Sequence, residues 1–569
     1  MAYRNLYSRR QAVLGAMLFA LSLAAMAADT APVRRNASGP EPSGGGGPSA
    51  RVGTTQWDCE PFSPSSFPCF QGPFQNGYVS PGPHELVDDL SQARLLWISE
   101  EQALGTTWGP FGIGPGGQGK SSPVRAFGYS NPIVVSNRVY LQYSDYPPDE
   151  KAQLVDEKMV AGGARDRRRG SWSIDTDDVV LCMSAENGRT LWKTVFERKG
   201  LTTNGNRHGL WQHPCVVGDR LFAQGSGGYV YCIDATTGET LWIAGTGPAT
   251  KAWDAARDAW YQEPKAYDQR TRYEFCTSPT WGDGVVAVND HGNEFDRWEK
   301  PTKAYAGKAY KEKTKLGNGL VGLDATCGKL LWRIEYCTGR INSPIRWRHQ
   351  GKDYFLAHGP RKAVCVEPRS GRILWTIENP AFCPFKSPVV AGDIMVVGGM
   401  SINKKRPPDF DIALVKGWYG YRISLEGAEK LWTVDTSFGA SKRSPAVHQG
   451  NLFCAIGGNR TVRIDLASGE PAVVGKGVGN FVHSVICGDI MFDYMSARRI
   501  NRDGALATMS SKGLQAKMKG EAFLNATLAD GRLYLRGKLP GIGKQDLPER
   551  VAQGLPPEHG CIYCFDLRK

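Results

Sequence analysis

A nine-residue phrase recurs along the chain with fixed internal spacing. In each copy a turn-forming residue is followed four positions later by glycine and eight positions later by tryptophan. Glycine accepts the left-handed turn conformation and tryptophan offers a large packing surface, so each copy predicts a β-hairpin. The copies are Ser184–Trp192, Asp234–Trp242, Asp324–Trp332 and Glu367–Trp375, with degenerate ones at 427–432 and 465–473. Such recurrence indicates a repeat architecture.

A second pattern precedes each hairpin and opens another pair of strands. A polar residue is followed by proline, which is tolerated at the first residue of a strand because no ladder hydrogen bond is lost there. The openings are Asn131-Pro132, His213-Pro214, Ser278-Pro279, Ser343-Pro344, Ser387-Pro388 and Ser444-Pro445, with His483-Ser484 and Asn525-Ala526 as variants. Together the patterns predict an all-β, eight-bladed propeller of four-stranded antiparallel blades.

The two ends of the repeat region are complementary. The last repeat reaches 560–566 without a tryptophan-bearing strand, whereas Arg94–Ile98 contains Trp97 and has no partner strand before it. We therefore expect the N-terminal strand to pair with the C-terminal blade and close the ring, which removes two exposed sheet edges. The propeller is expected to cover residues 54–569.

The N-terminus predicts export. Basic residues precede an apolar run over 12–25, which ends in the small-residue sequence Ala25-Met26-Ala27. We expect residues 1–27 to be a secretory signal peptide, with Arg9-Arg10 a partial match to the twin-arginine type. Residues 28–53, rich in Gly, Pro and Ser, are expected to form a flexible leader. The protein is accordingly predicted to be periplasmic or secreted, without a membrane span.

Charge and cysteine content leave some questions open. The formal net charge of +13 favours anionic partners, but Arg165–Arg169 is the only long basic run, so nucleic acid is not expected. Of the 14 cysteines, Cys59 with Cys69, or Cys561 with Cys564, are close enough in sequence to pair, while the true connectivity stays open. No second ligand pair accompanies Cys561 and Cys564, so no metal site is predicted.

The repeat phrase resembles that of a known family. D-x-x-x-G-x-x-L-W together with S-P-V-V-x-G-D is similar to the pattern of PQQ-like, quinoprotein-type propellers, and Cys69–Ser80 resembles the start of exported planctomycete-type members. The resemblance spans about 70–569. It implies the fold, and the family name suggests a dehydrogenase that uses pyrroloquinoline quinone (PQQ) and calcium. The other hypothesis is a binding or scaffolding module in which loops on one face hold a partner.

Loop lengths distinguish the two faces of the predicted propeller. With strands labelled A to D outward, the A–B and C–D turns are short throughout and define a smooth face. The long insertions are B–C loops or D-to-A connectors, which emerge at the opposite, loop-rich face: 144–178, 198–212, 248–275, 293–319, 401–417 and 537–560. Long loops gathered on one face usually serve recognition, so we expect the site there.

The predicted site is the mouth of the central channel on the loop-rich face. Its residues stand beside the starts of A strands or in B–C loops: His208, Trp211, His213, Asp290, His291, Arg340, Asn342, His358, Arg361, Lys386, Lys442, Arg443 and His483. This polar, mainly basic set favours an anionic or sugar-like small ligand, or an acidic protein surface. Any one cation could instead be solvated or bind strand-end carbonyl groups.

The dehydrogenase alternative makes specific demands. Calcium needs oxygen ligands, which Asp290, Asn293 and Glu294 could supply, and Arg340, Lys386 or Arg443 could contact the cofactor carboxylates. The adjacent cysteine pair and the haem attachment sequence of alcohol-oxidising members are absent. The sequence assigns no catalytic residue, and PQQ and calcium are retained only as cofactors of this alternative.

Overall fold

Eight antiparallel four-stranded sheets make up the described part of the chain, and two of them gain a parallel fifth strand. The predicted all-β, eight-bladed propeller is therefore confirmed. The computed structural model describes residues 33–36, 62–102, 104, 128–145, 173–203, 212–245, 277–290, 319–334, 337–339, 342–359, 362–378, 380–381, 383, 386–399, 417–434, 444–456, 460–476, 483–518, 524–540 and 560–569.

Each blade runs from a short inner strand A to an outer strand D. Strands β1 (Val33–Asn36), β2 (Tyr78–Val79) and β3 (Arg94–Ile98) precede the first complete blade. Blades 1 and 2 comprise β4 (Ile133–Val135), β5 (Arg138–Asp145), β6 (Ser173–Ser184), β7 (Thr190–Thr203), β8 (Cys215–Val217), β9 (Arg220–Gln224), β10 (Tyr229–Asp234) and β11 (Thr240–Gly245). Blades 3 and 4 comprise β12 (Thr280–Gly282), β13 (Val285–Asp290), β14 (Gly319–Asp324), β15 (Leu330–Ile334), β16 (Ile345–His349), β17 (Lys352–His358), β18 (Lys362–Val366) and β19 (Ile373–Glu378).

The second half of the ring repeats this order. Blades 5 and 6 comprise β20 (Val389–Ala391), β21 (Ile394–Gly399), β22 (Gly417–Ile423), β23 (Ala428–Val434), β24 (Ala446–His448), β25 (Asn451–Ile456), β26 (Arg460–Asp465) and β27 (Pro471–Lys476). Blades 7 and 8 comprise β28 (Val485–Cys487), β29 (Ile490–Asp493), β30 (Ser496–Ile500), β31 (Leu506–Met509), β32 (Thr527–Ala529), β33 (Arg532–Lys538) and β34 (Gly560–Asp566), together with β3.

The repeat tryptophans join each blade to the next. The indole N–H of Trp192 on strand D of blade 1 donates to the carbonyl of Ala235 in the C–D turn of blade 2, at 3.2 Å. A Cβ on Gly238 of that turn would lie 2.7 Å from the Trp192 ring, so glycine is required for the contact as well as for its φ of +77°. Equivalent bonds join Trp242 to Ala325, Trp332 to Pro368, Trp375 to Ser424 and Trp432 to Leu466.

Small residues face these tryptophans from strand C. The residue opposite each tryptophan is cysteine or glycine: Cys182, Cys232, Gly322, Cys365, Gly420 and Cys564. Four of the buried cysteines are thus packing residues, because a larger side chain would displace the indole ring. The open pairing of Cys561 with Cys564 is not seen, since residues three apart on one strand point to opposite faces and these two belong to different core clusters.

The N-terminal strand closes the ring as predicted. Strand β3 pairs antiparallel with β34, which places Trp97 opposite Cys564. The Trp97 indole donates to the carbonyl of Ala185 in blade 1 at 3.0 Å, so blade 8 uses the same inter-blade bond as blades 1 to 5. Arg94 also forms an ion pair with the buried carboxylate of Asp566 at 2.6 Å.

Two segments predicted as long loops are partly strand. Strands β6 and β7 extend into 144–178 and 198–212, forming a hairpin longer than those of the other blades. Its extension packs on blade 2, where Phe196 stacks on Tyr231 at 3.7 Å between ring centroids and the buried Asp178 accepts hydrogen bonds from Tyr231 and Ser226. These contacts join distant parts of the chain, which composition alone does not predict.

Few residues outside the strands have regular structure. The described helices are a 3₁₀ turn, Leu90–Gln92, and one short α-helix, Lys512–Lys517. Neither they nor any other helix of the described residues is long and apolar enough to cross a membrane. Within the predicted leader, β1 pairs in parallel with β7 of blade 1.

Replacing Trp97 by alanine tests the closure. We expect a loss of about 3–5 kcal/mol in the free energy of unfolding, because a buried aromatic side chain and an inter-blade bond are removed together. Leu96→Ala is the matched control, since Leu96 is 38% exposed and should change stability by about 0.5 kcal/mol or less. Urea unfolding measures both, and equal effects of the two changes would contradict the closure.

Candidate functional site

The segment 62–80, called the channel plug below, runs around the inside of the propeller. It forms hydrogen bonds to every blade in turn: Phe67 to Val134, Pro68 to Val216, Gln75 to Thr280 and Arg346, Asn76 to Val390 and Val447, Gly77 to Ile486, and Ser65 to Asp530. Strand β2 lies within the plug and adds in parallel to β28. Because Asp530 lies in an A–B turn, Ser65 places this part of the plug at the smooth face.

A ring of polar residues, called the polar collar below, surrounds the channel at the other end of the inner strands. It consists of the residue at each strand opening: Asn131, His213, Ser278, Ser343, Ser387, Ser444, His483 and Asn525. Seven of the eight neighbouring pairs among these described residues are joined by hydrogen bonds of 2.6 to 3.2 Å. In six of these pairs, the backbone N–H of one collar residue donates to the side chain of its neighbour in the ring. These bonds fix the orientation of the collar side chains.

Phe70 of the plug lies between two collar histidines. Its ring centroid is 5.5 Å from that of His213 in blade 2 and 5.3 Å from that of His483 in blade 7. The plug therefore reaches the level of the collar at Phe70, and we call Phe70 together with the adjacent Gln71 the floor of the channel.

The collar fixes the tautomer of His213. The Oδ1 of Asn131 accepts from the backbone N–H of Asn525, so the Nδ2 of Asn131 donates to the Nε2 of His213 at 3.2 Å. The proton of the neutral imidazole must then be on Nδ1, which is buried and has no hydrogen-bond partner. Burial, with a smaller contribution from His483, lowers the pKa of His213 to about 3, so His213 is neutral at physiological pH.

Three further buried polar atoms near the collar lack partners. Both the oxygen and the nitrogen of the Gln71 amide are unpaired although Gln71 is only 3% exposed, and the hydroxyl of Ser444 is unpaired in the collar itself. A buried polar atom without a partner costs about 1–3 kcal/mol, so such atoms usually meet a water or a ligand. The floor of the channel therefore offers uncharged donors and acceptors beside an aromatic ring.

The remaining described residues of the predicted site face elsewhere. Asn342 donates to the carbonyl of His358, and His358 Nε2 donates to the carbonyl of Ala381 at 2.7 Å, so both connect strand ends. Burial lowers the pKa of His358 to about 4. The buried Lys386 holds its ammonium group 4.0 Å from the ring centroid of Trp418, and burial lowers its pKa.

Other predicted site residues lie outside the described part of the chain. Asp290 ends strand β13, but its side chain is not described. The rest of this group lies wholly outside the described residues: His208, Trp211, His291, Arg340, Arg361, Lys442 and Arg443. Apart from Lys386, the arginines and lysines predicted at the channel mouth therefore lie outside the described residues.

The described residues do not match the donors that PQQ and calcium need. Across the described ranges, no three His, Cys, Asp or Glu side chains come together as metal ligands. The collar consists of serine, asparagine and histidine, which lack the carboxylate oxygens that calcium prefers. A quinone cofactor would therefore depend on residues outside the collar, such as Asp290, and no reaction step can be assigned to the residues of the collar.

Comparison with known proteins agrees with the propeller class and narrows it to a family. The chain is a PQQ-like propeller repeat protein. It belongs to the family described as outer membrane protein assembly factor BamB, whose sequence profile matches residues 167–309 and 317–473, more than half of the chain.

Similar individual proteins include enzymes and an assembly factor. A polyvinylalcohol dehydrogenase from a Pseudomonas species is 28% identical over 194 residues, covering 29% of each chain, so this chain spans less than two thirds of that curated relative. BamB from Moraxella catarrhalis has a TM-score of 0.41 at 12% identity, over 68% of this chain and 88% of its own. A quinohemoprotein alcohol dehydrogenase from Comamonas testosteroni has a TM-score of 0.40 at 13% identity, over 90% and 82%.

The collar histidine predicts a pH dependence of stability. The unfolded chain binds a proton at His213 near pH 6.5, whereas the folded chain does so only near pH 3. The stabilisation is thus complete above pH 6.5 and is lost as the pH falls toward 3, by up to about 1.4 kcal/mol per pH unit. We expect His213→Asn to remove this part of the acid sensitivity, measured by urea unfolding at pH 7, 5.5 and 4.5.

The comparison of wild type with His213→Asn also removes the contribution of other titrating groups to the pH dependence of stability. His358 and Asp178 titrate in both proteins, so the difference between wild type and variant isolates His213. Asparagine keeps an acceptor for Asn131 and already stands at two collar positions, Asn131 and Asn525. Identical pH profiles for the two proteins would show that His213 is not held neutral.

Proposed function

We propose that the protein is a binding module that holds a neutral, sugar-like small molecule at the floor of its channel, on the loop-rich face. The supporting observation is the Gln71 amide, which is buried next to Phe70 and offers one donor group and one acceptor without partners. Hydroxyl groups of a sugar both donate and accept, and a sugar ring packs well on an aromatic side chain. The module function is also consistent with membership of the BamB family.

Charge distinguishes the proposed ligand from an anion. Transfer of an anion to the collar would remove its hydration without an opposite charge, because His213 is neutral there and Lys386 is directed at Trp418. An anionic ligand, or an acidic protein surface, would instead bind the basic loop residues predicted at the rim: Arg340, Arg361, Lys442 and Arg443. We keep these partners as a second proposal for the rim, and export to the periplasm or beyond as the proposed location.

The dehydrogenase alternative has one supporting observation. The polyvinylalcohol dehydrogenase is similar over 194 residues, which motivates a direct test of PQQ with calcium. The collar contains no carboxylate, and no cluster of His, Cys, Asp or Glu that could hold a metal is found among the described residues, which is why we rank the binding module first.

Two plug glutamines provide a matched test of the proposal. Gln71 and Gln75 are both buried and both have positive φ, 62° and 52°, but only Gln75 is satisfied, by Thr280 and the backbone N–H of Arg346. We expect Gln71→Leu to leave the free energy of unfolding unchanged or raise it by about 1 kcal/mol, and to abolish ligand binding. Gln75→Leu should lower stability by about 1–3 kcal/mol and leave ligand binding intact.

Calorimetric titration of the purified protein provides the binding readout. The probes are glucose, maltose and inositol, glucose 6-phosphate as the anionic counterpart, and PQQ with Ca²⁺. Saturable heat with a neutral probe, lost in Gln71→Leu and kept in Gln75→Leu, supports the proposal. Heat with PQQ and Ca²⁺ alone would establish the alternative, and equal binding by Gln71→Leu and wild type would exclude the channel floor as the site.

A further inference from the structure

We propose that Cys69 and Cys215 form a disulfide bond that fastens the channel plug to blade 2. This modification is independent of the ligand proposed above. It concerns how the plug is held in the channel, whatever the channel binds.

The two cysteines face each other where the plug crosses strand β8. The backbone N–H of Val216 donates to the carbonyl of Pro68 at 2.9 Å, which brings the neighbouring residues Cys69 and Cys215 side by side. Each residue is 1% exposed, both belong to one hydrophobic cluster, and burial together with the neighbouring Cys215 thiol raises the pKa of the Cys69 thiol. In the reduced form the Cys69 thiol also donates to the carbonyl of Gly72 at 3.3 Å.

The repeat does not require a cysteine at position 215. The cysteines opposite the tryptophans recur because the indole rings need a small neighbour, whereas Cys215 has no such role. The corresponding residues of the other seven inner strands are Ile133, Thr280, Ile345, Val389, Ala446, Val485 and Thr527. Only the repeat that contacts Cys69 of the plug has a cysteine at this position, as expected if the two cysteines form a disulfide bond.

The oxidation needs a partner that accepts two electrons. We name a disulfide as the oxidant: one thiolate attacks it to give a mixed disulfide, and the second thiolate displaces the remaining thiol. Two protons and two electrons leave the cysteines, and one oxidant disulfide becomes two thiols. Because burial raises the pKa of the Cys69 thiol, thiolate is scarce once the plug is fully buried, so the bond forms while the plug is docking on blade 2.

Peptide mapping tests the bond directly. The protein is unfolded, reduced, refolded with oxidised glutathione as the oxidant, alkylated without reduction and digested with chymotrypsin. Cleavage after Phe62 separates Cys59 from Cys69, so a pair between Cys69 and Cys215 is distinguished from the pair of Cys59 with Cys69. We expect a cross-linked peptide containing Cys69 and Cys215 that disappears on reduction.

Hydrogen exchange of the plug provides a second readout. Cys215→Ala should increase the exchange of residues 62–80 about tenfold, because the plug then opens without its covalent tie. Cys232→Ala in the same blade is the control, since Cys232 faces Trp242 and should leave exchange of the plug unchanged. Wild type with reductant should behave like Cys215→Ala.

Two results would overturn the proposal. One is alkylation of both Cys69 and Cys215 in unreduced protein, whether refolded with oxidised glutathione or recovered from the periplasm of an expressing cell. The other is a peptide in which Cys69 is bonded to Cys59. Either would mean that Cys69 and Cys215 are not bonded to each other.

Discussion

The indole hydrogen bond between blades organises the whole ring. Each of these tryptophans lies on strand D, and its indole N–H donates to a carbonyl in the C–D turn of the next blade, as Trp192 does to Ala235. The turn glycine and the small strand-C residue are both consequences of this contact, because each makes room for the ring. At blade 6, where Val473 replaces tryptophan, Arg463 donates to the carbonyl of Asp503 in blade 7 at 2.5 Å and fills the same space.

A closed ring has a central channel, and the chain fills one end of it with its own N-terminal segment. The plug satisfies inner-strand backbone groups that no neighbouring strand can reach, such as Val216 and Ile486. At the other end, neighbouring collar residues form hydrogen bonds to one another around the ring. The Gln71 amide and the Nδ1 of His213 take part in neither set of hydrogen bonds. Because these buried polar atoms lack partners, we propose that a ligand binds between the plug and the collar.

The blades and their closure are predictable from the sequence, whereas the plug is not. Turn glycines and tryptophans determine local structure within a few residues of the chain. Their spacing therefore predicts the number of blades, the order of the strands and the pairing of the Trp97 strand with the last blade. Placement of His213 and His483 at the channel follows from their position before inner strands. Gln71 and Phe70 have no such signal, because their positions depend on contacts with blades more than a hundred residues away. The sequence predicts a mainly basic channel mouth. It does not reveal that His213 is neutral, because this neutrality arises from burial in the folded protein.

Burial and charge together separate two zones along the channel axis. At the collar, desolvation keeps His213 uncharged, and the hydrogen bond from Asn131 leaves its Nδ1 proton available to a neutral acceptor. Towards the rim, the net charge of +13 and the predicted loop cations would attract anions from a distance. A ligand held against Phe70 therefore needs a neutral, hydroxyl-rich end at the collar, because a charged group there would lose its hydration without meeting an opposite charge.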